Sequence, residues 1–213
     1  GSYSCGQNEN ITAEEIWQNY LDSCGNREEI LKIKSYSATI ISESKYGESR
    51  VVIKTKYPDK FYTEILYPND ASVTYIINGD SGIIKSPKGI ENIPQSDLIK
   101  YKDSDLFLPE LFFLDLGYSI KLVGDDIIRG RECYKLEIDK PYEKIYYLID
   151  KKNFQVRRTI NDEYITDILE TYKTGSIKLV KTSKSISATD TMTGNYIEQK
   201  LNIEIDDKIF NLE

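Results

Sequence analysis

The stretch Lys54–Pro68, KTKYPDKFYTEILYP, decides how this chain is read. Thr55, Tyr57, Phe61, Thr63 and Ile65 are aromatic or β-branched, and Lys54, Lys56, Lys60 and Glu64 alternate with them. That period of two describes a half-buried strand. Pro58-Asp59 interrupts it. Proline suits the second position of a type I turn and aspartate the third, so the interruption reads as a hairpin tip. The expectation is two strands with Tyr57, Phe61 and Ile65 turned to one concave side.

The same grammar extends in both directions. SYSATIISES (35–44), RVVIKTKY (50–57), KFYTEILY (60–67) and SVTYIING (72–79) are strand-like, separated by Tyr46-Gly47, Pro58-Asp59 and Pro68-Asn69-Asp70. Further strands are expected in YSIKLVG (118–124), ECYKLEID (132–139), KIYYLID (144–150), QVRRTIN (155–161), YITDILETYK (164–173), IKLVKTSKSIS (177–187) and YIEQKLNIEI (196–205). Turns are placed at Gly124-Asp125-Asp126, Lys140-Pro141-Tyr142 and Asp150–Asn153. Helices open the chain. Thr12-Ala13-Glu14-Glu15 is a capping box, Ile16/Tyr20 and Trp17/Leu21 give an apolar stripe, and Cys24-Gly25 ends it. Asn26 with Glu29 starts a second short helix with Ile30, Leu31 and Ile33 inward.

Pro94–Ser119 breaks the pattern. Leu106, Phe107, Leu108, Leu111, Phe112, Phe113, Leu114 and Leu116 crowd together, punctuated by Asp105, Glu110 and Asp115. Pro109 and Gly117 bracket an expected helix. A segment apolar on all sides must be covered, as the plug of a core or the lid of a cavity.

Composition narrows the function. The chain has 213 residues, 39% hydrophobic and 30% charged, with a net charge of −7. Acidity and interspersed charge argue against nucleic acid as a partner. No run approaches the roughly 18 apolar residues of a membrane-spanning helix. Seventeen tyrosines against one tryptophan suit strand faces and wet, lipid-like or glycan-like surfaces. With no histidine in the sequence, Ser-His-Asp and Cys-His catalysis is excluded and zinc would need other ligands. Asp125-Asp126, Asp206-Asp207 and Glu14-Glu15 read as turn or surface residues, because strand neighbours point to opposite faces. NGDSG (78–82) lacks a calcium loop's spaced ligands. The expectation is therefore no catalytic residues, no metal and no cofactor. Residues 1–11 read as a disordered leader and 12–213 as a single domain. Cys5 in that leader is a candidate for lipidation after removal of a signal peptide, with a Cys5–Cys24 disulfide as the competing reading. Cys133 reads as a small buried hydrophobe.

Taken in order, TAEEIWQNYLDSCGNREEILKIKSYSATI, VVIKTKYPDKFYTEI, YIINGDSGI, IIRGRECYKLEI, YYLIDKKNFQVRRTI, ETYKTGSIKLVKTSKSIS and IEQKLNIEIDDKIF resemble the elements of the LolA/LolB-like, lipoprotein-carrier-like family over residues 12–210. The chain is most similar to outer-membrane lipoprotein-sorting relatives of the Bacteroidetes type. Departures are the missing proline in Gly175–Val180, a lining of Tyr and Phe with only Trp17 remaining, and no placed equivalent of the carriers' cavity arginine, although Arg50 begins a strand. The resemblance implies an α+β fold, an incomplete, strongly curved antiparallel half-barrel with helices on its concave side. It implies an exported, non-enzymatic protein of the periplasm or anchored at the outer membrane of a Gram-negative bacterium, a monomer binding a lipid or acylated protein. The alternative is a protein-interaction or sensor module with a filled cavity and an envelope protein partner. Candidate cavity residues are Trp17, Tyr57, Phe61, Ile65, Tyr75, Ile77, Leu106, Phe107, Leu111, Phe112 and Leu114.

Overall fold

The computed structural model describes residues 11–105 and 107–213. The capping box forms as expected: Thr12 Oγ1 accepts from the Glu15 N–H at 3.2 Å and Glu15 Oε2 accepts from the Thr12 N–H at 2.7 Å. Helix α1 spans Ala13–Cys24 and buries Ile16, Trp17, Tyr20 and Leu21. It stops at Gly25, whose φ is +146°; a Cβ there would lie 3.0 Å from both the Ile177 Cα and the Ser176 carbonyl oxygen. Backbone conformation and close approach both demand glycine at that position. Helix α2, Arg27–Leu31, follows with Asn26 as its cap.

The strands are β1 Ser35–Ser44, β2 Gly47–Lys56, β3 Lys60–Leu66, β4 Ser72–Asn78, β5 Ser81–Ser86, β6 Gly89–Asn92, β7 Ser119–Ile128, β8 Arg131–Asp139, β9 Lys144–Asp150, β10 Val156–Ile160, β11 Ile165–Thr174, β12 Ile177–Ile186 and β13 Thr191–Leu201. They form one antiparallel sheet of 13 strands in the order β6-β5-β4-β3-β2-β1-β13-β12-β11-β10-β9-β8-β7. Every paired strand is next to its partner in sequence except at the β1–β13 seam, which joins two meanders. Bulges interrupt β7, β10, β11, β12 and β13, and each bends its strand and increases local twist. The result is an open, curved half-barrel. Its hairpin tip lies between Lys56 and Lys60 as expected, and the Tyr57–Pro58 peptide there is cis.

Strands β6 and β7 are the sheet's two free edges, and residues 93–118 run from one to the other. This explains the greasy segment, which has to pass over the open side of the half-barrel. It carries helix α3, Gln95–Asp105, and a single 3-10 turn at Pro109–Phe112. The longer helix expected between Pro109 and Gly117 is not formed. Gly124-Asp125-Asp126 is not a turn either: it lies inside β7, where the Leu122/Gly124 bulge absorbs the extra residue. The reversal occurs at Arg129-Gly130, with φ of 49° and 74°. Two consecutive positive φ values match a two-residue hairpin loop, but arginine in the first position concealed it.

Period-two alternation places Phe61 and Ile77 on one face of the sheet and Tyr62, Ile76 and Ile83 on the other. Phe61 and Ile77 pack with Ile93 and Leu98 on the side of α3. Ile76 and Ile83 pack under the chain's C-terminal segment, with Ile205 and the fully buried Phe210. Lys56 and Lys60 hold that segment through Asp207, at 2.7 and 3.1 Å. On the same outer face farther along the sheet, Ile128, Cys133 and Leu148 form a small cluster, and Cys133 is buried as expected.

Candidate functional site

The 3.6-residue spacing of α1 aims Trp17 and Tyr20 at the concave face of β7–β9. Trp17 stacks on Phe113 with ring centroids 5.9 Å apart and meets the Tyr147 ring edge-on at 5.2 Å. Leu136, Ile138 and Ile149 complete that core. Between these aromatic pillars and the β1–β13 seam the packing stops, and a cavity of about 550 Å³ remains.

Its wall takes Tyr36 and Ile53 from β1 and β2, Val180 and Tyr196 from β12 and β13, and Ile145 and Val156 from β9 and β10, with Phe107 and Leu108 of the crossing segment. Tyr36 is fixed at two points. Its hydroxyl donates to Gln199 Oε1 at 2.8 Å, while Gln199 Nε2 donates to the Val180 carbonyl at 2.6 Å. The Phe107 ring meets Tyr36 edge-on at 5.5 Å. A second cavity, about 250 Å³, lies beyond the same two residues, between Ile30, Ile33, Tyr57, Pro58, Leu111 and Phe112. Phe107 and Leu108 are common to both.

The polar groups of the larger cavity are few and shifted. Burial raises the Glu110 carboxyl pKa, opposed by the Tyr147 and Tyr20 hydroxyls and the Lys140 charge. Burial and then Glu110 push the Cys24 thiol up to about 12, so it is an inert thiol rather than a nucleophile. Burial also raises Tyr20 and Tyr147 well above their usual range and lowers Lys178. Among the described residues no group of three or more His, Cys, Asp or Glu could hold a metal, and no helix is long and apolar enough to cross a membrane.

The structure distributes the expected site residues unevenly. Tyr57, Phe107, Leu111 and Phe112 line the smaller cavity, and Phe107 lines the larger as well. Trp17, Phe61 and Ile77 are corrections: each is about 1% exposed and fills core. Ile65 and Tyr75 line neither cavity; Tyr75 packs its ring 5.4 Å from that of Tyr101. Leu114 is also a correction, at 51% exposed. Leu111 and Phe113 are buried, while Phe112, at the rim of the smaller cavity, and Leu114 are largely exposed; the three-residue repeat of the 3-10 turn ends at Phe112, so Leu114 does not follow Leu111 inward. Leu106 and Cys5 lie outside the described residues. Cys24 is a free thiol, and Arg50 is exposed away from both cavities. Sequence reasoning missed Tyr36, Glu110, Lys140 and Tyr147. Glu110 left one trace, a lone carboxyl among leucines and phenylalanines.

Compared by sequence, the chain matches no family model and no curated protein. Solved structures are another matter. A DUF1329 family protein from Desulfovibrio piger superposes with a TM-score of 0.67 at 10% identity, covering 95% of this chain and 98% of that one. A LolA superfamily protein from Nitrosomonas europaea gives 0.65 at 15% identity, covering 95% and 98%. A putative outer membrane lipoprotein-sorting protein domain from Vibrio parahaemolyticus gives 0.65 at 12% identity, covering 94% and 96%. The fold is LolA-like over nearly the whole described chain.

Proposed function

We propose that this protein is a non-enzymatic binder of acyl chains or similarly elongated apolar ligands, held in the half-barrel. The observation that carries this reading is the cavity of about 550 Å³ inside a LolA-like fold. That volume falls within the range of small-molecule sites, which combine apolar walls with a few placed polar groups. Each methylene removed from water contributes about 0.8 kcal/mol, so one chain in such a space supplies useful affinity without any charged contact. The ligand class includes lipids and the acyl chains of lipoproteins, and the setting is the cell envelope, reached by export, with the protein acting as a monomer. A sensor or interaction module would have side chains filling this space. The open cavity favours carriage over that alternative.

Native mass spectrometry of protein purified from its own envelope, followed by lipid extraction, tests the reading. A co-purifying acyl lipid, together with a raised melting temperature on adding palmitoyl lipids to stripped protein, is the expected result. Absence of both would rule it out.

A further inference from the structure

Four cations line the large cavity, Lys100, Lys140, Arg157 and Lys178, against two carboxylates, Glu110 and Glu143. That positive balance runs against the chain's net charge of −7. Three of the four are matched: Lys100 pairs with Asp97 at 3.3 Å, Lys140 with Glu143 at 3.3 Å and Arg157 with Asp150 at 2.9 Å. Glu110 sits toward Lys140, its carboxyl bound by the Tyr147 hydroxyl at 3.0 Å. Lys178 is the exception. It is half-buried on β12 and has no ion pair or hydrogen bond among the described residues. Its electrostatic neighbours are the Cys24 thiol on α1, Lys173 on β11 and Arg157 on β10, none of them a carboxylate. Lys173 stands directly opposite it in the β11–β12 ladder, a placement in which like charges repel. Strand β12 is paired with β13 from Thr182 to Ile186, and Lys178 lies beyond that pairing. There Leu179 and Val180 of β12 and Tyr196 and Gln199 of β13 line the cavity.

We propose that Lys178 is the head-group anchor of this cavity, pairing with the carboxylate or phosphate of an anionic acyl ligand whose chain runs toward Tyr36 and Phe107. This rests on the acyl-chain reading above. A half-buried ammonium with no counter-ion, beside two further cations, is a costly arrangement. Burial lowers its pKa in keeping with that cost. The carboxylate that serves this cationic group is Asp150, and Arg131 and Arg157 already share it. An anionic oxygen beside Lys178 gains a charge-assisted hydrogen bond and relieves the repulsion among Lys173, Lys178 and Arg157. Tyr36, Ile53 and Phe107 then supply apolar contact for the chain. Lysine presents a compact point charge rather than a planar fork, so the anchor sorts ligands by the charge of the head and not by its shape.

The experiment displaces a neutral fluorescent apolar probe from delipidated protein at about pH 7.5, where a ligand carboxylate is ionised. Laurate and dodecyl phosphate are compared with 1-lauroylglycerol, which has a similar chain and a neutral head. Wild type is expected to bind at least one of the anions about tenfold more tightly than the neutral lipid. Whichever anion binds more tightly names the source, a fatty acid or a phosphate-headed lipid. Lys178→Arg keeps the charge and should retain the preference. Lys178→Met keeps the stem and should bring the ratio to within about twofold of unity. Its melting temperature should not fall, because it deletes an uncompensated charge facing Lys173. Two results overturn the anchor while acyl binding stands: neither anion exceeding 1-lauroylglycerol in wild type, or an unchanged preference in Lys178→Met. Failure of the probe and all three lipids to bind wild type overturns the acyl-chain reading and the anchor with it.

Discussion

The concave side of the sheet is closed at one end and hollow at the other. Over β3–β5, Phe61, Ile77, Ile93 and Leu98 meet without a gap. Gly82 makes this contact possible: a Cβ there would lie 3.0 Å from Ile93 Cδ1 and from Leu98 Cδ2. Toward β8–β13 the chain crossing the sheet rests on larger rings. Trp17, Phe113 and Tyr147 brace one another at centroid distances of 5–6 Å, holding α1 and the crossing segment off the seam strands. Small residues under a helix close the space, and aromatic pillars keep it open. Interior packing tolerates few voids, so a gap of several hundred cubic ångströms beside a fully packed cluster marks where this fold departs from maximal stability.

Mutations at the two ends should therefore behave oppositely. The largest effect is expected in the closed end: Phe61→Ala should lower unfolding free energy by about 3–5 kcal/mol in denaturant titration, with acyl binding to the folded fraction retained. Loss of binding without loss of stability would erase the distinction.

An intermediate effect belongs to the outer face of the hollow half. The buried Asp150 carboxylate accepts from Arg131 Nε at 2.9 Å, Arg157 Nη2 at 2.9 Å and the Lys152 N–H at 2.8 Å. Burial alone would raise its pKa, but hydrogen bonds from Arg131, the Lys152 N–H and Arg157 outweigh burial and bring it down to about 2. A carboxyl depressed on folding contributes stability above its unfolded value of roughly 3.9. That contribution is lost as pH falls through about 2. Asp150→Asn should cost roughly 2 kcal/mol at neutral pH and flatten the melting temperature's decline between the two values. An unchanged acid profile would show that the arginines do not hold the carboxylate in solution.

The smallest stability effect is expected inside the cavity. Val180→Phe adds volume where there is room, so unfolding free energy should change by less than about 1 kcal/mol, against the 1–3 kcal/mol typical of overpacking a filled core. Acyl affinity should nevertheless fall by about tenfold or more, because the added ring occupies ligand volume. Equal affinity in the variant would place the ligand elsewhere.

Much of this architecture is legible along the chain. KTKYPDKFYTEILYP folds as a hairpin about Pro58-Asp59, and the Thr12/Glu15 box starts α1 where it should, because capping, turn chemistry and period-two alternation are local. The errors arise where local rules compete. Gly124-Asp125-Asp126 has turn composition but is absorbed by a bulge, and Arg129-Gly130 turns without the usual Asn or Asp. In the crossing segment Leu111 to Leu114 are all apolar, so hydrophobicity could not say which would point inward. Packing against α1 and the sheet buries Leu111 and Phe113 and leaves Phe112 and Leu114 largely exposed. Of the candidate site, Tyr57, Phe107, Leu111 and Phe112 were visible in advance, whereas Glu110 was visible only as a residue out of place.

By itself, the sequence determined most of the strands, the helical start and the need to cover a greasy segment, since each follows from contacts within a few residues. Only the tertiary structure decided which apolar side chains meet. Ile76 and Ile77 are adjacent, equally apolar and both buried, yet one lies under the C-terminal segment and the other on the side of α3. Whether an inward face is filled or hollow depends on the distance between elements far apart in the chain. Here ring contacts among Trp17, Phe113 and Tyr147 set that distance, and no pattern within a single segment encodes it.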